Sequence, residues 1–104
     1  MVTYNIEISE PAENDLRDII RYISSQLSSP MTAMKMMDTI EAALLGLSDM
    51  SQKCAAVRDD RLAAMGYRKL LIKNYVVFFR IGELSKVVND ERILYARRDW
   101  LRIV

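Results

Sequence analysis

The residues best suited to chemistry are arginine and lysine side chains in the C-terminal part of the chain. They form a basic set, namely Arg68, Lys69, Arg80, Arg97, Arg98 and Arg102. Cationic side chains brought together suit phosphate binding, or stabilisation of the charge that develops on a phosphoryl group. Aromatic residues that could stack on nucleic-acid bases are interleaved with them: Tyr67, Tyr75, Tyr95 and Trp100. The basic set therefore predicts a polyanion or an acidic partner.

Several other kinds of chemistry are excluded by composition. The sequence has no histidine and one cysteine, Cys54, so a Ser-His-Asp or Cys-His arrangement is impossible and acid–base work would fall to carboxylates, lysine, arginine or tyrosine. The usual ligands of zinc and haem are missing too, so we predict no metal and no cofactor. The lone cysteine favours a reducing, cytoplasmic setting. With no leader-like start and no bilayer-length apolar run, we expect no membrane partner.

The net charge of +1 conceals an asymmetry between the two parts of the chain. Residues 1–65 contain six basic and ten acidic residues, a balance of −4, whereas residues 66–104 contain nine basic and four acidic residues, a balance of +5. The acidic part has helical patterns and the basic part has strand patterns. This distribution predicts a positive field on the sheet side; the alternative is a solvated surface with uneven charge.

Three strand patterns must position the basic set. Six of the eight residues in 74–81 are apolar, mostly β-branched or aromatic, which predicts a strand buried in the middle of a sheet. Residues 66–73 form a second strand pattern, and the polar break at Lys73-Asn74 predicts an antiparallel hairpin. Residues 91–100 form the third. Because side chains alternate along a strand, adjacent residues such as Arg68 and Lys69 are expected on opposite faces.

The N-terminal half predicts a strand followed by two helices. Residues 2–8 alternate apolar with polar residues, and Ser9-Glu10-Pro11 is a typical helix start. A second helix is predicted from about 30 to 47 after Ser29, and residues 48–54 are predicted as loop. Asp59 and Asp60 are interpreted as a solvated part of the connection. The alternative is that they serve a nuclease as a base.

These patterns give the order β-α-α-β-β-β. We predict an α+β fold in which a helical hairpin packs on one face of a mainly antiparallel sheet, and the other face or its rim is left for function. The length of 104 residues predicts one domain spanning residues 1–104.

The C-terminal motifs resemble those of the RelE/ParE superfamily of bacterial toxins from type II toxin–antitoxin systems. The similar stretches are Gly66-Tyr67-Arg68, Asn74-Tyr75-Val76-Val77-Phe78-Phe79-Arg80 and Arg92-Ile93-Leu94-Tyr95-Ala96-Arg97-Arg98-Asp99. The chain length, the order of elements and the opening Ser9-Glu10-Pro11-Ala12 are similar as well. The resemblance covers essentially the whole chain.

This resemblance implies a growth-inhibiting toxin that a cognate antitoxin holds silent. ParE-like members of the superfamily inhibit DNA gyrase by binding, whereas RelE-like members are endoribonucleases that cut messenger RNA on the ribosome without a histidine pair. These two mechanisms are alternative hypotheses for this chain. A third hypothesis, from another class, is a non-toxic nucleic-acid-binding or interaction domain.

The resemblance also implies roles for individual residues. If the chain is a ribonuclease, Lys69 and Arg98 occupy the places of catalytic basic residues. Val76, however, stands where RelE-type ribonucleases carry an arginine, and the terminal tyrosine of those enzymes is missing, so the pattern is nearer to ParE. For a gyrase or other macromolecular target, the predicted binding residues are Arg68, Lys69, Arg80, Arg97, Arg98 and Trp100.

Overall fold

The structure is a computed structural model that describes residues 3–26, 29–50, 54 and 56–96. Along the chain these residues form β1 (Asn5–Ile8), α1 (Glu10–Gln26), α2 (Pro30–Met50), α3 (Asp60–Ala64), β2 (Arg68–Ile72), β3 (Tyr75–Gly82) and β4 (Val87–Tyr95). The predicted α+β class and the order β-α-α-β-β-β are confirmed, and the five-residue α3 is an addition to them. None of the described helices is long and apolar enough to cross a membrane.

Each of the two long helices is capped by the serine that precedes its first residue, as the sequence predicts. The hydroxyl of Ser9 accepts a hydrogen bond from the Ala12 N–H at 3.1 Å, and the hydroxyl of Ser29 accepts one from the Thr32 N–H at 3.3 Å. These bonds satisfy backbone donors that have no partner within the first helical turn.

The predicted loop at residues 48–54 is wrong for its first three residues, because α2 continues to Met50. Tertiary contacts explain the difference. Leu47 is buried in the core, and the Ser48 carbonyl accepts a hydrogen bond from the Tyr4 N–H at 2.9 Å. Packing against the rest of the fold thus overrides the weak local helix preference.

The short helix α3 lies in a segment for which the sequence predicts a solvated connection. Asp59 is its N-cap, since the Asp59 carboxylate accepts a hydrogen bond from the Leu62 N–H at 2.9 Å. Leu62 is fully buried. Asp59 therefore has a structural role in starting α3, and the interpretation of this segment as plain loop is corrected.

The four strands form one sheet in the order β1-β4-β3-β2. β1 is parallel to β4, and the other two pairings are antiparallel. The predicted hairpin is present: Ile72 pairs with Tyr75 across the turn, where Lys73 adopts the left-handed region with φ 55°. The predicted third strand begins earlier than expected, at Val87, because the residues from Val87 to Asp90 pair with both β1 and β3. It ends at Tyr95, and residues 97–100 of the prediction lie outside the described residues.

Both faces of the sheet are covered in the middle. One core lies between the sheet and the two long helices and includes Val77 and Phe79, whereas a second core on the opposite face includes Val76, Phe78 and Leu62 of α3. The four consecutive residues 76–79 of β3 are all buried, as predicted for a central strand. On the second face α3 and neighbouring residues cover part of the sheet, and the use of this face or its rim for function stays a prediction.

Candidate functional site

The predicted basic set is only partly within the described residues. Arg68, Lys69 and Arg80 are described, whereas Arg97, Arg98, Trp100 and Arg102 lie outside the described residues.

Arg68 and Lys69 point to opposite faces, as alternation predicts. Arg68 pairs across the hairpin with Phe79 of the helix-facing core, and Lys69 pairs with Phe78 of the second core. The Arg68 guanidinium donates a hydrogen bond to the Cys54 carbonyl at 2.8 Å, so it holds the segment before α3 against β2. Burial raises the pKa of the Cys54 thiol, which disfavours the thiolate form that a nucleophile needs.

Arg80 is engaged by a partner that sequence reasoning missed. Its guanidinium forms an ion pair with Glu91, in which Nε and Nη2 both donate to the carboxylate, the latter at 3.2 Å. The guanidinium also lies 4.9 Å from the ring centre of Tyr67, whose hydroxyl donates to Glu91 at 3.3 Å. The hydrogen bond to Glu91 raises the pKa of Arg80, but the pair as a whole carries no net charge.

A polar cleft of about 500 Å3 lies beside this pair. Its lining includes Ser9, Gly66, Arg80, Asn89 and Glu91. An arginine next to a carboxylate is a poor anion site, because Glu91 already occupies the donors that a phosphate would need.

Arg92 is a second basic residue whose partner the sequence did not reveal. Both of its guanidinium contacts to Asp15 of α1 are 2.7 Å, and the Asp15 carboxylate also accepts the Ile93 N–H at 3.0 Å. Strand alternation alone would direct Arg92 to the face of Phe78, its cross-strand neighbour. An irregularity in the β3–β4 pairing next to this position redirects the side chain towards α1.

Ion pairs reduce the positive field predicted for the strands. Six basic residues of the C-terminal part are described, and three of them pair with acidic groups: Arg80 with Glu91, Lys86 with Glu83 and Arg92 with Asp15. Within the described part of the chain, Lys69 and Lys73 take part in no ion pair. Lys69 is therefore the predicted site residue that keeps an uncompensated charge on the second face.

The three described site residues lie toward one end of the sheet, because Arg68 and Lys69 pair with the residues of β3 that precede Arg80. Arg80 lies near the C-terminal end of β3, while the chain leaves β4 at the opposite end of the sheet, where Tyr95 pairs with Tyr75 and the Ala96 N–H donates to the Asn74 carbonyl at 2.8 Å. Five residues of strand separate Tyr75 from Arg80, roughly 17 Å. The described members of the predicted set thus lie away from the end of the sheet at which Ala96 leaves β4.

Val76 contributes no charged group to this surface. It is buried in the second core, with 7% of its surface exposed. The position where RelE-type ribonucleases carry an arginine therefore contributes packing here and no charge.

Asp90 is the most unusual charged residue in the described chain. Its side chain is fully buried, and neither carboxylate oxygen has a hydrogen-bond partner among the described residues. Burial raises the pKa of Asp90 to about 7. No sequence pattern distinguishes this aspartate from its partly buried polar neighbours Asn89 and Glu91.

One family model matches most of the chain. The family model described as the ParE toxin of the type II toxin–antitoxin system, parDE, matches residues 6–100. A search of curated proteins found no match to the sequence.

Two solved structures have a similar fold. One is the chromosomal ParDE toxin–antitoxin system from P. aeruginosa, with a TM-score of 0.75 and 20% identity over 91% of this chain and 98% of that chain. The other is the RelBE2 toxin–antitoxin complex from Mycobacterium tuberculosis, with a TM-score of 0.62 and 18% identity over 90% of this chain and 99% of that chain. At these identities the likeness is one of fold.

Proposed function

This chain belongs to the ParE toxin family of type II toxin–antitoxin systems, and from this premise we propose that it inhibits growth by binding DNA gyrase. In this proposal the toxin acts in the cytoplasm and a cognate antitoxin holds it silent. The toxin requires no cofactor, because its effect comes from binding and not from bond cleavage.

The choice of gyrase as the target rests on how the basic residues of the strands are paired with acidic residues. A ribonuclease needs several cations held around one phosphate, where each contributes to transition-state stabilisation. Among the described residues, Arg80 is neutralised by Glu91 and Val76 is buried in place of an arginine. This arrangement favours a protein-binding surface over a phosphodiester-cleaving site.

We assign the target-binding surface to Lys69 and to the C-terminal residues Arg97, Arg98 and Trp100. Lys69 supplies a partly exposed charge on the second face, and a cation at an interface affects encounter and orientation with an acidic partner. Arg68 and Arg80 belong to the same predicted set, but their hydrogen bonds to Cys54 and Glu91 give them the role of fixing the surface.

A supercoiling assay with purified bacterial DNA gyrase tests this proposal. The wild-type toxin is expected to inhibit supercoiling, and Lys69→Ala is expected to raise the half-inhibitory concentration about tenfold, as for a contact within an interface. The matched control is Lys35→Ala, which removes one positive charge from the exposed face of α2 and is expected to change inhibition by less than about twofold.

A toxin that leaves gyrase unaffected but cleaves messenger RNA on purified ribosomes would contradict the proposal. Equal inhibition by wild type and Lys69→Ala would remove Lys69 from the target surface. Circular dichroism and urea unfolding of each variant verify that the fold is intact.

A further inference from the structure

A groove lined by tyrosines lies between α1 and one end of the sheet, and none of the described basic residues Arg68, Lys69 and Arg80 lines it. Its volume is about 450 Å3, and its lining includes Asp18, Ile19 and Tyr22 of α1 and Tyr75, Ile93 and Tyr95 of the strands. We call it the tyrosine groove. Its size falls within the range of ligand and side-chain pockets, roughly 300–1,000 Å3.

Two of the three tyrosines that line the groove are exposed to solvent, and Tyr75 is partly buried. Tyr22 is 58% exposed and Tyr95 is 43% exposed. Tyr75 and Tyr95 meet edge to face with ring centres 5.9 Å apart, which fixes one wall. Tyrosines combine a large apolar area with few rotatable bonds, so exposed tyrosines beside a groove are typical anchors of protein interfaces.

The charged residues at the groove indicate what kind of partner it binds. Asp15, at one end of the groove, is paired with Arg92, whereas the Asp18 side chain is 76% exposed and 3.9 Å from the equally exposed Arg21. The helix α1 carries a balance of −2 from Glu10, Glu13, Asp15 and Asp18 against Arg17 and Arg21. Carboxylates repel phosphate, and tyrosine faces attract cations. The groove therefore fits a basic protein segment and disfavours a nucleic acid.

We propose that the tyrosine groove binds a segment of the antitoxin in which an aliphatic or aromatic residue lies next to a lysine or arginine. The apolar side chain fills the floor at Ile19 and Ile93, and the cation lies against Tyr22 and Asp18. This inference rests on the proposed function, because it needs a toxin with a neutralising partner.

The position of the groove links it to neutralisation. Tyr95 lines the groove and is followed directly by Ala96 and then by the predicted target-binding residues Arg97 and Arg98. A partner seated in the groove lies beside the start of that segment. A partner bound there lies next to Tyr95, just before these residues in the sequence, and leaves Lys69, on the other face of the sheet, uncovered.

The experiment uses the full-length toxin and the protein encoded beside its gene, tested as the antitoxin. Isothermal titration calorimetry gives the Kd, and growth after co-expression gives neutralisation. Tyr22→Ala and Asp18→Lys are each expected to weaken binding about thirtyfold, as for interface hot spots. Tyr22→Phe, which keeps the ring, is expected to stay within about threefold of wild type.

The matched controls lie on the exposed face of α2, away from the groove. Leu45→Ala removes an exposed apolar side chain and Glu41→Lys reverses an exposed acidic one. Both are expected to bind the antitoxin as wild type does. All variants are expected to retain toxicity when expressed alone, since none alters the proposed target surface.

The outcomes separate failure of the inference from failure of the proposed function. If the toxin arrests growth and its neighbour rescues it, but Tyr22→Ala and Asp18→Lys bind with unchanged Kd, the groove is not the antitoxin site. If the toxin arrests nothing in its folded state, the proposed function fails and the inference fails with it.

A photo-crosslinking residue at position 22 identifies the occupant directly. The expected cross-link joins Tyr22→p-benzoylphenylalanine to an antitoxin peptide that contains an apolar residue next to lysine or arginine. A cross-link to a second copy of the toxin, or to an acidic antitoxin segment, would overturn the proposal.

Discussion

Replacing the buried Asp90 by asparagine is expected to stabilise the protein, and to do so more strongly as the pH rises. Asp90 lies on β4 between Ile8 of β1 and Phe79 of β3, and its fully buried carboxylate finds no hydrogen-bond partner among the described residues. An ionised carboxylate without partners is strongly disfavoured in such surroundings. Asparagine has a similar shape and cannot ionise.

The magnitude follows from the displaced pKa. Burial raises the pKa of Asp90 from 3.8 to about 7 in the folded state. The folded state therefore holds the proton more tightly, and this contribution to stability is fully present below about pH 4 and is lost as the pH rises to about 7. Relative to wild type, Asp90→Asn is expected to gain about 2 kcal/mol at pH 5 and about 4 kcal/mol at pH 8. Such a gain is a large fraction of a typical stability of about 5–15 kcal/mol.

Urea unfolding of both proteins between pH 5 and pH 9 measures this difference. Taking the difference between variant and wild type removes the pH dependence that the other ionisable groups contribute equally to both proteins. The control is Asp38→Asn on the exposed face of α2, for which we expect a change in stability of less than about 0.5 kcal/mol. A stability gain for Asp90→Asn that is absent, or that does not grow between pH 5 and pH 8, would refute the reasoning.

Two further predictions concern side chains that hold the fold together. Arg92→Ala leaves the carboxylate of Asp15 without its two-bond partner and is expected to destabilise the protein by about 2–3 kcal/mol in urea unfolding. Arg92→Lys is expected to restore only part of this stability, because lysine cannot make both bonds. A loss below about 0.5 kcal/mol for Arg92→Ala would contradict the assigned role of the ion pair. Asp59→Ala removes the cap of α3 and is expected to cost about 1 kcal/mol, whereas Asp59→Asn, which can still accept from the Leu62 N–H, is expected to match wild type. Equal losses for both variants would show that the cap hydrogen bond is not the source of the loss.

The parts of the fold that the sequence predicted have local causes. The apolar run at 76–79, the polar break at Lys73-Asn74 and the capping serines Ser9 and Ser29 are each readable from a few neighbouring residues. The central strand, the hairpin and both helix starts were therefore correct. Where propensity was weak, as at the end of α2, a distant hydrogen bond from Tyr4 to the Ser48 carbonyl decided the outcome.

The site was harder to predict, because charge on the folded surface depends on pairings between distant residues. Arg92 and Asp15 are 77 positions apart, and Arg80 and Glu91 are 11 apart on neighbouring strands. A count of basic residues could not reveal that these arginines are neutralised. The burial of Asp90 likewise depends on strands that cover it from both sides.

The measurement that tests the account most directly is pulse-labelling of DNA, RNA and protein synthesis after tightly controlled expression of the toxin without its antitoxin. The account predicts that DNA synthesis stops first and that an SOS response follows, while messenger RNA stays intact. An early stop in protein synthesis with cleaved messenger RNA would contradict the central claim and show that the toxin acts as a ribonuclease.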